Sequence, residues 1–332
     1  MLALPEAWVW DFWVVDDGQQ YHLFFLYASR ALPHHHDRHH RASIGHAVST
    51  DLTTWERVTD ALVRSDPPAF DDLATWTGCT LQHPDGTWFL FYTGASMSPL
   101  GNVQTIGYAT SPDLLHWTKS PSNPVLSADA RWYEKLTDGL WHDEAFRDPW
   151  VFPDPAGDGW HMLITARANH GPADDRGVVG HAWSPDLRSW ELRPPLSRPG
   201  QGFGQLEVTQ TTVIDGQPLL LFSCLRGDLA EARRTTTSGG VWAAVTASPL
   251  GPYDIADAQL LTDSSLYVGR VIHDRATGRP QFLAFLHDDP DSDQGFVGAI
   301  SDPTPISWDG HRVHLEGATA ATLGVHLLGA GG

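Results

Sequence analysis

Three acidic residues with aromatic or polar neighbours could do chemistry in this sequence. Asp11 lies in the segment WVWDFW, Asp148 in FRDP and Glu207 in QLEV. If the fold brings the three carboxylates together, repulsion and loss of water make the arrangement costly for folding alone. Cleavage of a glycosidic bond needs such a set: one carboxylate attacks the anomeric carbon, and another, with a raised pKa, protonates the leaving oxygen. A third can hold the hydroxyls of the sugar. Taken alone, Asp11 could instead cap a bend beside core tryptophans.

The residues around these acids suggest a surface that binds a sugar ring. Indoles offer flat apolar faces with one polar handle. The predicted substrate-binding residues are Trp10, Trp13, Trp76, Thr77, Arg147, Tyr267 and Arg270. For Tyr267 and Arg270, packing of the aromatic ring and a solvated guanidinium are equally good interpretations.

Composition narrows the classes of function. The 332-residue chain has a formal net charge of −19, and such a surface repels nucleic acid phosphates and anionic membranes. A neutral substrate, or one that can be protonated, fits better; the small oligosaccharide expected as the partner follows from the acids and the resemblance described below. No run of about 18 apolar residues predicts a membrane-spanning helix, and no signal peptide precedes Trp10. Cys79 and Cys224 make no disulfide framework, so we expect a cytoplasmic protein.

One pattern, Ser-x-Asp-x-x-x-Trp, must be explained by the fold. It occurs three times, with its serines at Ser49, Ser111 and Ser184, and weaker copies contain Ser248 and Ser301. The regular interval indicates a repeat architecture. The unit itself is typical of a turn that an Asp caps, followed by a Trp that packs between repeats.

Each copy follows the same two apolar strands, which a turn rich in Asp and Gly connects. The predicted first strands are 8–15, 76–83, 146–153, 206–214 and 267–274, and the second strands are 21–27, 88–92, 160–165, 218–223 and 281–286. We therefore predict an all-β fold, a five-bladed β-propeller with four antiparallel strands per blade, over residues 1–332 as a single domain. A pair of β-sandwiches is the alternative. Residues 312–315 would end the last blade, residues 2–4 would close the ring, and the tail from Gly317 carries no clear signal.

The first strand of each propeller blade lines the central channel, so this fold predicts that Asp11, Asp148 and Glu207 converge. With these motifs, the sequence resembles a clan of glycoside hydrolases. The segments WDFW, WTG, LFYT and RDP and the acid Glu207 resemble family 68, the levansucrases, whereas residues 45–55 resemble family 32, the invertases and inulinases. The resemblance implies that Asp11 is the nucleophile, Asp148 the transition-state stabiliser and Glu207 the general acid/base, with Arg147 beside the stabiliser.

The implied function is a retaining hydrolase that removes a terminal β-fructofuranosyl residue from sucrose or a short fructan, with transfer to another sugar left open. No cofactor or metal is implied. The Asn-Asp-Pro motif of family 32 is absent around Asp11, so the clan is better supported than either family. The chain is also shorter than a propeller with the β-sandwich that family 32 appends. Alternatives are an inverting arabinofuranosidase or xylosidase on the same fold, and a non-catalytic propeller that binds a sugar or a protein.

Other residues of the sequence are candidates for roles at the site. The segment His34–His40 could bind a metal through imidazoles or form a solvated loop that rims the channel. Asp143 or Glu144 could replace a misassigned acid. Arg226 and Asp228 could line the rim. Cys79 lacks a motif that places a His beside it, which argues against a thiol nucleophile.

Overall fold

Five antiparallel sheets form a ring in the computed structural model, which describes residues 1–288 and 295–316. Each first strand contacts the first strands of its two neighbours, and the ring closes between blades five and one. The predicted all-β, five-bladed propeller is confirmed.

Blades one, three and four are four-stranded sheets in chain order. Their strands are β1 (Ala7–Asp16), β2 (Tyr21–Ser29), β3 (Ser43–Ser49) and β4 (Glu56–Arg57); β10 (Phe146–Pro153), β11 (Trp160–Arg167), β12 (Gly177–Ser184) and β13 (Glu191–Arg193); and β14 (Glu207–Ile214), β15 (Gln217–Cys224), β16 (Gly240–Val245) and β17 (Gln259–Leu260).

Blades two and five each carry a fifth strand. Blade two consists of β5 (Ala74–Gln82), β6 (Trp88–Ser98), β7 (Gly101–Ser111) and β8 (Thr118–Lys119), and β9 (Asp143–Glu144) pairs in parallel with β7. Blade five consists of β18 (Leu266–His273), β19 (Pro280–Asp288), β20 (Phe296–Ile300), β21 (Thr304–Trp308) and β22 (Val313–Leu315).

Helix is confined to short segments between the strands of the described chain. They are the 3-10 helices η1 (His35–Arg41), η2 (Leu136–Asp138) and η3 (Arg226–Asp228) and the α-helix α1 (Glu231–Arg234). Among the residues that the structure describes, no helix has both the length and the apolar character needed to span a membrane.

The Ser-x-Asp-x-x-x-Trp units form turns before the outer strand in blades one to three. In blade one, Asp51 Oδ1 accepts the backbone N–H groups of Thr53 (2.8 Å) and Thr54 (2.7 Å). The tryptophans of blades two and three pack on the preceding blade: Trp117 meets Phe24 edge-on at 5.8 Å between ring centroids, and Trp190 meets Phe91 at 5.4 Å. For these copies the predicted turn and the packing between blades are confirmed.

Blade five departs from the repeat. The weaker copy at Ser301 does not precede the outer strand, because β20 and β21 on either side of it both pair with β19. It therefore interrupts the third strand, and β22 is the outer one, as the pattern at residues 312–315 predicts. Leu2 pairs with Ile300 on β20, through hydrogen bonds of 3.0 and 2.9 Å, and so closes the ring. The tail from Gly317 lies outside the described residues.

All five first strands have a register shift at the same level, between Val9 and Phe12 in β1 and at matching places in β5, β10, β14 and β18. The extra residues bulge out of the ladder, and a bulge re-aims side chains. In blades three, four and five the bulge contains a residue in the left-handed region: Asp148 (φ 57°), Val208 (φ 53°) and Val268 (φ 53°). This conformation is strained for a β-branched residue.

Neighbouring blades are joined at these bulges by a repeated hydrogen bond. The bulge N–H donates to a hydroxyl on the second strand of the preceding blade: Asp148 to Thr93 (2.9 Å), Val208 to Thr165 (3.1 Å) and Val268 to Ser223 (3.0 Å). The strained backbone thus satisfies its donor across the blade boundary rather than within its own sheet.

Buried histidine pairs connect the second and third strands of blades one and three. His22 Nδ1 lies 2.9 Å from His46 Nε2, and His161 Nδ1 lies 2.9 Å from His181 Nε2. Burial, together with the neighbouring His22, lowers the pKa of His46 to about 3. The folded protein therefore keeps His46 neutral at a pH where the unfolded chain binds a proton.

We expect the free energy of unfolding to fall as the pH drops from 6.5 towards 4, because the unfolded state then takes up protons that the folded state refuses. His46→Gln removes one such group while an amide N–H can still serve His22. In this variant the free energy of unfolding should depend less steeply on pH, by about 1.4 kcal/mol per pH unit. Urea unfolding between pH 6.5 and 4 measures this dependence. The exposed His116→Gln is the control, and equal slopes for the two variants would contradict the prediction.

Candidate active site

A cavity of about 590 Å³ lies where the five first strands meet, and the three predicted acids line it. Asp11 comes from β1, Asp148 from β10 and Glu207 from the first residue of β14. Each stands at or beside the bulge of its strand, which turns the side chain towards the channel. Three carboxylates from three blades thus share one pocket.

Arg147 links two of the acids. Its Nη2 donates to Glu207 Oε1 at 2.6 Å, and its Nε lies 3.4 Å from Asp148 Oδ2. Gln104 and Gln205 accept from the same guanidinium at 3.1 and 2.5 Å. Burial opposes its charge, but Glu207 and Asp148 outweigh that effect and raise the pKa of Arg147. Arg147 is therefore a permanent cation whose donors hold the two acids in place.

Asp11 lies in surroundings that disfavour its ionised form. Burial, then the charges of Asp148 and Glu207, raise the pKa of Asp11 to about 7, although Thr77 opposes the rise. The Thr77 hydroxyl donates to Asp11 Oδ2. The carboxylates are coupled, so the pocket as a whole holds a proton at mildly acidic pH.

Asp148 is fixed from two sides. Thr165 donates to its Oδ2 at 2.9 Å, and the N–H of Val208 lies 3.3 Å from the same oxygen. Burial, opposed by Arg147, raises its pKa. Only 2% of Asp148 is exposed, so its orientation is set by protein contacts before any ligand enters.

Tyr267 contacts Glu207 directly. Its hydroxyl donates to Glu207 Oε2, while burial and the charge of Glu207 raise the pKa of Tyr267 well above its usual range. Tyr267 therefore stays a donor, and both oxygens of Glu207 have a protein partner. The predicted pocket position of Tyr267 is observed, with the acid as its partner.

An aromatic wall completes the pocket on the side of blades one and two. Trp10 and Trp76 line it, and His39 of η1 meets both rings edge-on, at 6.1 and 6.4 Å between centroids. Trp76 Nε1 also donates to the carbonyl of His39 at 2.7 Å. The segment His34–His40 is thus partly helical and supplies wall residues, as the rim hypothesis expects.

Two predicted substrate-binding residues lie outside the pocket, and those assignments are wrong. Trp13 is 1% exposed, stacks on Phe24 and donates to Thr80 Oγ1 at 2.9 Å. Arg270 is 2% exposed and donates to backbone carbonyls, among them Thr209 O at 2.9 Å. Both residues follow the bulge of their strand, where the alternation of faces has shifted.

The alternative acids divide between two environments. Asp143 lines the cavity, and Gln104 donates to its Oδ2 at 2.7 Å. Glu144 pairs with Lys135 and accepts from the N–H of Leu136 at 3.0 Å. Glu144 therefore secures a loop, whereas Asp143 contributes to the pocket wall.

Of the remaining residues that the sequence suggested, some line the cavity and others do not. Asp228 lines the cavity and Arg226 does not. Cys79 is buried outside the pocket lining, and burial raises the pKa of its thiol to about 12, so it is no nucleophile. Within residues 1–288 and 295–316, no three His, Cys, Asp or Glu side chains come together to hold a metal ion.

Some pocket residues escaped sequence analysis. Gln205 stands two residues before Glu207, which a strand alternation would place on the same face. Arg38 comes from a 3-10 helix, and no spacing in the sequence relates it to the acids. The same holds for Gln104 of β7, which lies outside the lining but bonds Arg147 and Asp143.

Comparison with known protein families identifies the family of this chain. The model of the glycosyl hydrolases family 32 N-terminal domain matches residues 13–256, more than half of the chain. The protein belongs to glycosyl hydrolase family 32. The matched segment contains Asp148 and Glu207 and begins two residues after Asp11. Of the two families in the resembled clan, the match thus favours family 32.

Relatives of this family 32 protein span a range of names. A fructan 1-exohydrolase of Aegilops tauschii is 34% identical over 131 residues, 38% of this chain and 20% of the relative. A sucrose:sucrose 1-fructosyltransferase of Festuca arundinacea is 29% identical over 206 residues, 60% of this chain and 28% of the relative. The chain thus matches about a fifth of the length of the first relative. The inulosucrase of Halalkalicoccus jeotgali, solved with kestose, has the same fold, with a TM-score of 0.77 at 20% identity over 96% of this chain and 91% of that one.

Removing the hydroxyl that bonds Asp11 should change the titration of the pocket. A hydrogen bond to the ionised form lowers a pKa, so Thr77→Val should raise the pKa of Asp11 above 7, by about one pH unit. Carboxyl ¹³C NMR of aspartate-labelled protein, with Asp11→Asn for assignment, measures it. Thr105→Val, on β7 outside the pocket lining, is the control, and a fall in the pKa of Asp11 in Thr77→Val would contradict the expectation.

Proposed function

We propose that this protein is a retaining glycoside hydrolase that releases a terminal β-fructofuranosyl residue from sucrose or a short fructan. The arrangement of Asp11, Asp148 and Glu207 around one cavity, with Arg147 between two of them, is the observation that carries the proposal. Membership of family 32 supports it, as do relatives named for fructan hydrolysis and fructosyl transfer.

In the first step, Asp11 attacks C2 of the fructosyl unit and the glycosidic C2–O bond breaks. Thr77 occupies Asp11 Oδ2, which leaves Oδ1 as the attacking atom. Glu207 gives its proton to the departing oxygen. Because Arg147 holds Oε1, the transferable proton resides on Oε2, beside the hydroxyl of Tyr267.

In the second step, water attacks C2 and the ester to Asp11 breaks. Glu207, now ionised, takes a proton from the water, and fructose leaves with its configuration retained. Asp148, held by Thr165, accepts hydrogen bonds from fructosyl hydroxyls. A second sugar in place of water would give transfer by the same route.

Incubation of the purified protein with sucrose, 1-kestose and inulin tests the reaction. We expect fructose to be released from at least one of them, and equal amounts of glucose and fructose from sucrose if water is the acceptor. A shortfall of free fructose would reveal transfer. NMR of the first product should show the β-anomer; inversion would contradict the double displacement, and no release from any donor would refute the activity.

Substitution of the acids tests their roles. Glu207→Gln should lower kcat/KM about 10²- to 10⁴-fold because the leaving oxygen loses its proton donor, and Asp11→Asn should lower it roughly 10⁴-fold or more because no ester forms. Asp143→Asn, an acid of the same wall, is the comparison and should retain most activity. A loss in Asp143→Asn as large as in Glu207→Gln would reassign the general acid.

A further inference from the structure

Arg38 is a buried cation in the pocket wall that the proposed reaction does not use. It lies in η1 between the second and third strands of blade one, lines the cavity and is only 5% exposed. Its guanidinium carbon is 3.8 Å from the ring centroid of Phe296 and 5.4 Å from that of Trp10. The side chain is thus clamped by aromatic faces from blades five and one.

The hydrogen bonds of Arg38 are incompletely satisfied. Nη1 donates to the carbonyl of His35 at 2.9 Å, whereas Nε is buried without a partner. No ion pair joins Arg38 to any carboxylate among the described residues, although the charge of Asp11 acts on it. Burying a guanidinium with unmatched donors is costly, and aromatic faces offset only part of that cost. Such a group is better explained by a ligand that supplies the missing acceptors.

The position of Arg38 indicates which part of a ligand it meets. Trp10, which contacts Arg38, directly precedes Asp11 in β1, and all three residues line the same cavity. η1 is fastened to the wall through the bond from Trp76 to His39, so Arg38 is oriented before a ligand binds. Arg147, the other arginine of the lining, already donates to Glu207, Gln104 and Gln205.

We infer that Arg38 is a substrate-binding residue that donates hydrogen bonds to oxygens of the fructosyl unit held against Asp11. This inference rests on the proposed function and adds a specificity-determining residue to it. The planar guanidinium presents donors in a fixed fork, which suits two neighbouring oxygens of an uncharged furanose. A substrate without those oxygens would leave the buried donors unmatched and would bind less well.

Saccharide affinity in matched variants tests the inference. Sucrose and 1-kestose are titrated by calorimetry into Glu207→Gln, whose slowed turnover leaves time to measure binding, with and without a second substitution. Arg38→Met, which keeps an apolar stem against Phe296, should weaken binding about 10- to 100-fold. The affinity of Arg38→Lys should lie between those of the parent and Arg38→Met, because an ammonium keeps the charge but not the paired donors of the guanidinium. Arg41→Met, an exposed arginine of the same helix outside the pocket lining, should bind like the parent.

Activity provides the second measurement. In the otherwise wild-type protein, Arg38→Met should raise KM about 10-fold or more, with Arg41→Met unchanged. Affinity of a folded Arg38→Met within twofold of Arg41→Met would overturn the inference and leave Arg38 a packing residue; if Arg38→Met does not fold, Arg38→Lys decides by the same criterion. Absence of fructose release by the wild type would refute the proposed function alone, since binding is read separately. Failure to bind either saccharide would refute both.

Discussion

The hydrogen bond from a bulged first strand to a hydroxyl of the preceding blade is the interaction on which the site depends. It satisfies the backbone donors of the left-handed residues Asp148, Val208 and Val268 and joins adjacent blades at the level of the acids. Thr165 contributes twice, because it also donates to the Asp148 carboxylate. Blade assembly and the orientation of a carboxylate are therefore coupled through a single hydroxyl.

The pocket balances buried charge with few cations. Arg147 neutralises part of the cluster, and burial, with the charges of Asp148 and Glu207, raises the pKa of Asp11 to about 7. Burial and electrostatic crowding, which are costly for folding, thus perturb the titration of an acid that the proposed chemistry uses.

The sequence repeat made the fold predictable. Turn residues, apolar strands and the Trp of each unit are local signals at fixed offsets, so the blades and the convergence of Asp11, Asp148 and Glu207 followed from topology. The assignments of Trp13 and Arg270 are wrong because no local signal marks the bulge, and the alternation of faces is shifted for residues beyond it. Arg38 was beyond reach, since its place depends on contacts with Trp10 and with Phe296 of blade five, far away in the chain.

The threonine and serine residues that join the blades also recur at a fixed place in the sequence pattern. Thr93, Thr165 and Ser223 each lie on an apolar second strand, opposite Trp76, Arg147 and Glu207 in the ladder. A buried hydroxyl at a recurrent position needs a partner, and the partner here is the next blade. By contrast, the residue opposite each hydroxyl follows no repeat: it is a tryptophan in blade two, an arginine in blade three and a glutamate in blade four.

The left-handed residue of the bulge is an aspartate in blade three and a valine in blades four and five. The same left-handed backbone position thus accepts either a carboxylate or an apolar side chain, and the hydrogen bond to the preceding blade is kept in both cases. A new reactive group could be introduced into this fold by exchanging one side chain at such a position, because the main-chain conformation is already present. Divergence of activities within one architecture then requires little more than redistributing acids among equivalent blades.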